Sequence, residues 1–244
     1  MQKLINEYCK ECEICIKNKT RTPIKLGTLG LLGPATKPFE IMSLDTIGGF
    51  GGRRSTKKCL HLLVDHFTRY AFILTSILTS ATQTTNDFIK LIKTIQSEND
   101  MNIGMLLTDQ HGGLTSNDFQ DFIEQEGMEM IFTAVDYAFS NGVNERLKQT
   151  LVNRIRCKIN RKGEKRAWTT VAHECVKEYN STIHSTTGFP PSYLLYGDSK
   201  YIIPKELAEQ QNLEKDREIA LQNVLKSHQR NEKKNITKIK KLEF

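Results

Sequence analysis

Between residues 40 and 133 the chain alternates two kinds of segment, and that alternation constrains the fold more than any other feature. Residues 40–47, 59–64 and 69–75 are short, β-branched or aromatic, and divided by turn residues, as three hairpin-linked strands should be. Residues 82–95 then place Phe88, Leu91, Ile92 and Ile95 at helical spacing, and 103–108 return to a strand pattern. A short helix over 117–126 turns Phe119, Phe122 and Ile123 inward, and 128–133 read as a last strand. Three adjacent strands followed by alternating helix and strand predict an α/β fold, a mixed five-stranded sheet flanked by helices. With 244 residues, 38% of them hydrophobic, the chain can bury one substantial core and carry appended segments. The glycine-rich stretch 48–52 lacks the Lys-Ser/Thr of a phosphate loop, so it reads as hairpin geometry.

Two of these strands end in an acid: Met42-Ser43-Leu44-Asp45 and Leu106-Leu107-Thr108-Asp109. A third acid, Glu145, opens a helix expected over 140–161, and 35 residues separate it from Asp109. In that helix Val143, Leu147, Leu151, Ile155 and Ile159 recur every four residues and should pack inward, leaving Glu145, Lys148, Gln149 and Arg156 on another side. Magnesium takes oxygen ligands, commonly one or two carboxylates with water and substrate phosphate, so a few converging acids suffice for phosphodiester chemistry. For any single one of the 28 Asp and Glu residues, an ordinary solvated acid or helix cap is the stronger reading; the pattern of three is what counts.

The charge is uneven. Residues 146–166 hold nine Lys and Arg against Glu164, and 226–241 hold seven against Glu232, in a chain of net charge +7. Such runs are commonly solvated helix faces, but one leading away from a metal-site acid is where substrate phosphates would lie. Lys148, Gln149, Arg156, Lys226, Arg230, Lys233 and Lys234 are therefore the candidate DNA contacts. No signal-like apolar run follows the start and no stretch approaches the ~20 apolar residues of a membrane span, so an intracellular protein with no membrane partner is expected. The six cysteines then read as thiols or metal ligands. Cys12 and Cys15 form a CxxC, half of a closed zinc site, and no histidine occurs before His61. Structural zinc is not expected.

These motifs, in order, carry a resemblance: Ser43-Leu44-Asp45; Leu63-Val64-Asp65-His66-Phe67-Thr68-Arg69-Tyr70; the run from Thr108 to Ser116; Ser140 to Arg146; and Trp168 with the segment from Tyr179 to Pro191. Residues 38–198 resemble the ribonuclease-H-like catalytic core of LTR-retrotransposon integrases, most closely the gypsy class and related retroviruses. The resemblance implies that Asp45, Asp109 and Glu145 are catalytic and hold Mg²⁺ or Mn²⁺. It also implies that Asn141 and Gly142 form a flexible turn, that element ends and target DNA are the partners, and that the active protein is a homo-oligomer acting in the nucleus. The implied function is DNA integration, by 3′-end processing and strand transfer. Asp65 stays a strand-end turn residue, and His111 and His184 are expected to make local hydrogen bonds. Ala138 and Phe139 stand where the family commonly has Pro-Gln, and Leu114 where an aromatic is common. The expected division is a partial zinc-binding segment (1–22), a linker (23–37), the core (38–198) and a basic helical tail (199–244). Both outer parts read as incomplete, the first beginning inside a zinc domain and the last stopping where a DNA-binding barrel would start. Two other functions fit: a DNA-binding module with little activity, and a ribonuclease-H-type nuclease.

Overall fold

The computed structural model describes residues 33–50, 55–77, 81–109, 112–132, 142–160, 166–197 and 212–240. Residues Leu31–Lys234 cluster as one compact unit. Its strands are β1 (Ile41–Ile47), β2 (Cys59–Asp65), β3 (Ala71–Ser76), β4 (Met105–Thr108) and β5 (Glu129–Phe132). Its helices are α1 (Ala81–Asn99), α2 (Asn117–Gln125), α3 (Gly142–Ile159), α4 (Trp168–Asn180), α5 (Pro191–Tyr196) and α6 (Leu213–Lys240). They form the expected mixed five-stranded sheet, in the order β3-β2-β1-β4-β5. The first three strands are antiparallel, while β1–β4 and β4–β5 are parallel.

Both faces are covered. Met42, Leu44, Leu63 and Leu106 pack with Phe88 and Ile92 of α1 and Phe119 of α2. On the other face Ile47, Leu62 and Val64 meet Leu147, Leu151 and Ile155 of α3 and Trp168, Val171 and Cys175 of α4. Every residue of β2 is consequently buried, as expected of a strand covered on two sides. Ser116 caps α2 by accepting the Phe119 N–H. Among the described residues no helix is long and apolar enough to cross a membrane.

Asp65 organises the end of the sheet away from β1's acid. Its carboxylate accepts the Phe39 N–H at 3.0 Å and the Thr68 N–H at 2.7 Å, while its carbonyl accepts the Arg69 N–H at 2.9 Å. Phe39 and Arg69 both have positive φ, 62° and 69°, which side chains rarely adopt. Both residues are thus tied to one buried acid, and its role as the acid of a strand-end turn stands. The same turn delays β3: the strand begins at Ala71, not at residue 69, because Arg69 is left-handed, with its N–H turned back to the Asp65 carbonyl.

β3 is an edge strand, and Asn180 at the end of α4 covers its exposed rim. The Asn180 amide accepts the Ala71 N–H and donates to the Ala71 carbonyl, both at 2.9 Å, so it acts as a one-residue neighbouring strand. Farther along, α6 docks by its first half. Ala220 and Val224 are buried, the Tyr193 hydroxyl donates to Asp216, and Arg217 donates to the Leu194 and Leu195 carbonyls at the end of α5. Leu221 packs against the cluster of Ala35, Ile41 and Phe67. The basic helical tail expected over 199–244 thus contains a helix whose first half is seated on the core.

Asn180→Leu keeps the volume but leaves two buried backbone groups without partners. It should cost about 2 kcal/mol or more and lower Tm by roughly 4–8 °C. A thermal melt within 1 °C of the parent would show that the edge of β3 does not depend on this amide.

Candidate active site

The parallel pairing of β1 with β4 runs from Ile41 opposite Met105 to Leu44 opposite Thr108. The next positions in that register are Asp45 and Asp109. Side chains alternate along a strand, so Asp45 shares its face with Ser43 and Ile47, and Ile47 lies in the cluster under α3. Asp109, one residue past the ladder, falls by the same alternation on that face and is exposed. α3 packs on β1 and β2, and its first turn carries Glu145, also exposed. Sequence and topology therefore bring the three acids to the same face and end of the sheet.

Their carboxylates do not converge into one ligand set: among the described residues no group of three His, Cys, Asp or Glu side chains has metal-holding geometry. Instead, Lys148, one turn past Glu145, reaches Asp45. Its ammonium lies 3.2 Å from Oδ2 and 3.5 Å from Oδ1, and Oδ1 also accepts the Thr46 N–H at 2.7 Å. The pair is half-shielded, with side-chain exposures of 32% for Lys148 and 12% for Asp45. Three carboxylates with no cation between them repel, and an ammonium on one of them relieves that repulsion. Hard oxygen donors on two neighbouring strands and a helix fit Mg²⁺ or Mn²⁺ chemically, and Asp45 is already turned toward a cation.

Behind Asp45 the same strand face is polar. The Ser43 hydroxyl lies 2.8 Å from His66 Nε2, and burial, reinforced by the nearby Arg69 cation, holds the His66 pKa down at about 3, so the ring is neutral. On the opposite face Thr46 Oγ1 and Ser76 Oγ hold the buried His61 ring at 2.9 and 2.6 Å. The sequence reading missed Asn144, which precedes Glu145. It is fully buried, yet among the described residues neither its amide nitrogen nor its oxygen has a partner. A polar residue at the i−3 position from buried Leu147 was the available signal.

The remaining candidates divide. Gln149, one turn beyond Glu145, and Arg156, about three turns beyond it, are exposed on α3, whereas Lys148 is committed to Asp45. The basic run is also less free than its sequence implies, because Lys158 pairs with Glu178 and Arg166 with Glu174 on α4. Lys226 and Arg230 are exposed on α6, and the backbone of Lys233 and Lys234 continues that helix. His184 makes local bonds, accepting the Thr186 N–H at 3.2 Å, and burial holds its pKa at about 4. Leu114 is buried in the core. Cys12, Cys15, His111, Ala138, Phe139 and Asn141 lie outside the described residues.

Burying an amide without partners costs about 1–3 kcal/mol, while an apolar group of the same shape carries no such cost. Asn144→Leu should therefore raise Tm by about 2–4 °C. A lower Tm would mean that the amide is satisfied in the folded protein.

No family model matches the chain. It is 27% identical over 209 residues to the Transposon Tf2-3 and Tf2-4 polyproteins of Schizosaccharomyces pombe, a match covering 85% of this chain and 15% of theirs. The chain thus spans about one-seventh of the length of those relatives. Among solved structures it resembles a chain of the simian T-cell lymphotropic virus intasome in complex with PP2A regulatory subunit B56 gamma. That likeness has a TM-score of 0.59 at 14% identity, over 84% of this chain and 70% of that one. It also resembles the HTLV-2 integrase catalytic core domain in complex with magnesium, with a TM-score of 0.52 at 15% identity, over 66% of this chain and 98% of that one. The chain is homologous to Tf2 retrotransposon polyproteins over most of its length and has the ribonuclease-H-like fold of retroviral integrase catalytic cores.

Proposed function

We propose that this chain is an integrase catalytic core that cleaves and joins DNA strands by metal-dependent polynucleotidyl transfer. The observation that carries the reading is the β1–β4 register, which makes Asp45 and Asp109 neighbours beneath the helix that bears Glu145. Homology to retrotransposon polyproteins and the fold support it. Water or a DNA 3′-hydroxyl attacks a phosphorus, and the bond from that phosphorus to the neighbouring 3′-oxygen breaks, which covers both end processing and strand transfer.

Asp45, Asp109 and Glu145 would hold Mg²⁺ or Mn²⁺, as the magnesium complex of the HTLV-2 core suggests by analogy. Bound divalent metal stabilises charge on the attacking and leaving oxygens of such a displacement. The chain's own residues do the rest. Gln149 and Arg156 follow Glu145 along the outer face of α3, one and about three turns on, and would receive phosphates of a strand running from the acids along the helix. Lys226 and Arg230, with Lys233 and Lys234, would extend the grip along α6. The DNA would comprise element ends and target, further copies of the chain would complete the assembly, and the nucleus would be its place of action. A DNA-binding module with little activity is the second reading; the Lys148–Asp45 pair and the unclustered acids favour it.

Activity separates the two. Asp45→Asn, Asp109→Asn and Glu145→Gln each remove a ligand charge while keeping shape, and each should abolish Mn²⁺-dependent joining of oligonucleotide ends with Tm changed by only a few degrees. Joining retained by Glu145→Gln would refute the assignment, and a parent chain that binds DNA without ever joining it would select the second reading. Deleting 226–244 should flatten the slope of log affinity against log salt by roughly 0.9 per phosphate lost, about 3 in all. An unchanged slope would leave the end of α6 as a solvated helix.

A further inference from the structure

Lys148 sits at the border of the buried face of α3. Asn144, one turn before it, and Leu151, one turn after it, are both fully buried, so the lysine stem starts against the sheet and must run along it to reach water. It ends on Asp45, facing both carboxylate oxygens at 3.2 and 3.5 Å. A magnesium ion takes a carboxylate oxygen at about 2.0–2.1 Å. An ammonium facing both oxygens from this side occupies the approach such an ion would use and opposes it with like charge.

We propose that Lys148 is the resident counter-ion of Asp45 and that a divalent metal engages this acid only by displacing it, so that Lys148 sets the metal affinity of the site. The inference rests on reading Asp45 as a metal-holding acid. In the metal-free protein the lysine neutralises Asp45, the acid of the central strand, which lets α3 lie across the sheet without bound metal. In the metal-loaded protein the ammonium is released one turn beyond Glu145. The lysine thus acts first as a competitor for the site and only afterwards as a cation available to substrate. It is a positioning residue acting through Asp45.

Mn²⁺ binding can be followed by the rise of Tm with metal concentration, without any DNA or turnover. An exposed to half-shielded ion pair is worth little, so removing the competitor should tighten Mn²⁺ binding about two- to five-fold in Lys148→Met. The metal-free Tm of the same variant should fall, since Asp45 loses its partner. The double variant Lys148→Met/Asn153→Lys returns the charge to α3 at an exposed position two turns beyond Glu145, out of reach of its carboxylate. If contact is what competes, the double variant keeps the tightened affinity. If it returns to parent affinity, general positive charge explains the effect and the proposal fails. Binding unchanged or weakened in Lys148→Met also overturns it. A parent chain whose Tm does not respond to Mn²⁺, or responds equally as Asp45→Asn, overturns the metal site itself and this inference with it.

Discussion

β1 is the strand on which the molecule turns, because its register against both neighbours decides which of its side chains meet which. Parallel to β4, it sets Leu44 opposite Thr108 and hence Asp45 beside Asp109; antiparallel to β2, it sets Thr46 opposite His61. A slip of one residue would send Asp45 to the face packed by α1 and α2 and expose Met42 and Leu44 to the α3 side. Apolar packing forbids that slip. Met42 and Leu44 are fully buried with Phe88 and Phe119 on one face, while Ile47 lies with Leu151 and Ile155 on the other. The chemistry of the site thus depends on hydrophobic residues that take no part in it.

Charge and polarity around β1 work against stability. An acid on a central strand and a buried amide at Asn144 that has no partner among the described residues both raise the energy of the fold. Local devices offset part of this: Lys148 on Asp45, the Thr46 N–H on the same carboxylate, and a neutral His66 on Ser43. At the far end of the strand Asp65 spends its hydrogen bonds differently, holding two left-handed residues, and so is a structural acid although it belongs to the same family of motifs. The contrast between Asp45 and Asp65 is one of partners: Asp45 holds one backbone N–H and a lysine ammonium, whereas Asp65 is held by the backbone N–H groups of two different loops.

Much of this was legible in the sequence. Short β-branched or aromatic runs divided by turn residues located the sheet, and the four-residue repeat in α3 identified Leu147, Leu151 and Ile155 as its buried face. Asp109 stood out because it follows a short apolar strand and Glu145 because it opens a helix; Asp45, read as a strand end, lies inside β1, which runs on to Ile47 against β2. Other features were not legible because they depend on contacts distant in sequence. α4 carries Trp168, Val171, Ala172, Cys175 and Val176 at helical spacing, but nothing local shows that Trp168 stacks on Phe50 at 4.6 Å and donates its Nε1–H to Ser55 Oγ at 3.0 Å. Asn180 gains its role only from the edge of β3, 109 positions away. Lys148 reads from sequence as one cation in a basic run; only the crossing of α3 over β1 turns it onto Asp45, 103 positions away.

The central claim, that the β1–β4 register builds a metal-holding pair of acids under α3, is tested most directly by anomalous scattering from crystals of this chain soaked in Mn²⁺. A peak bonded to both Asp45 and Asp109, with the Lys148 ammonium withdrawn from Asp45, is the predicted result. Manganese bound elsewhere, or none at these carboxylates while Lys148 keeps its place, would contradict it.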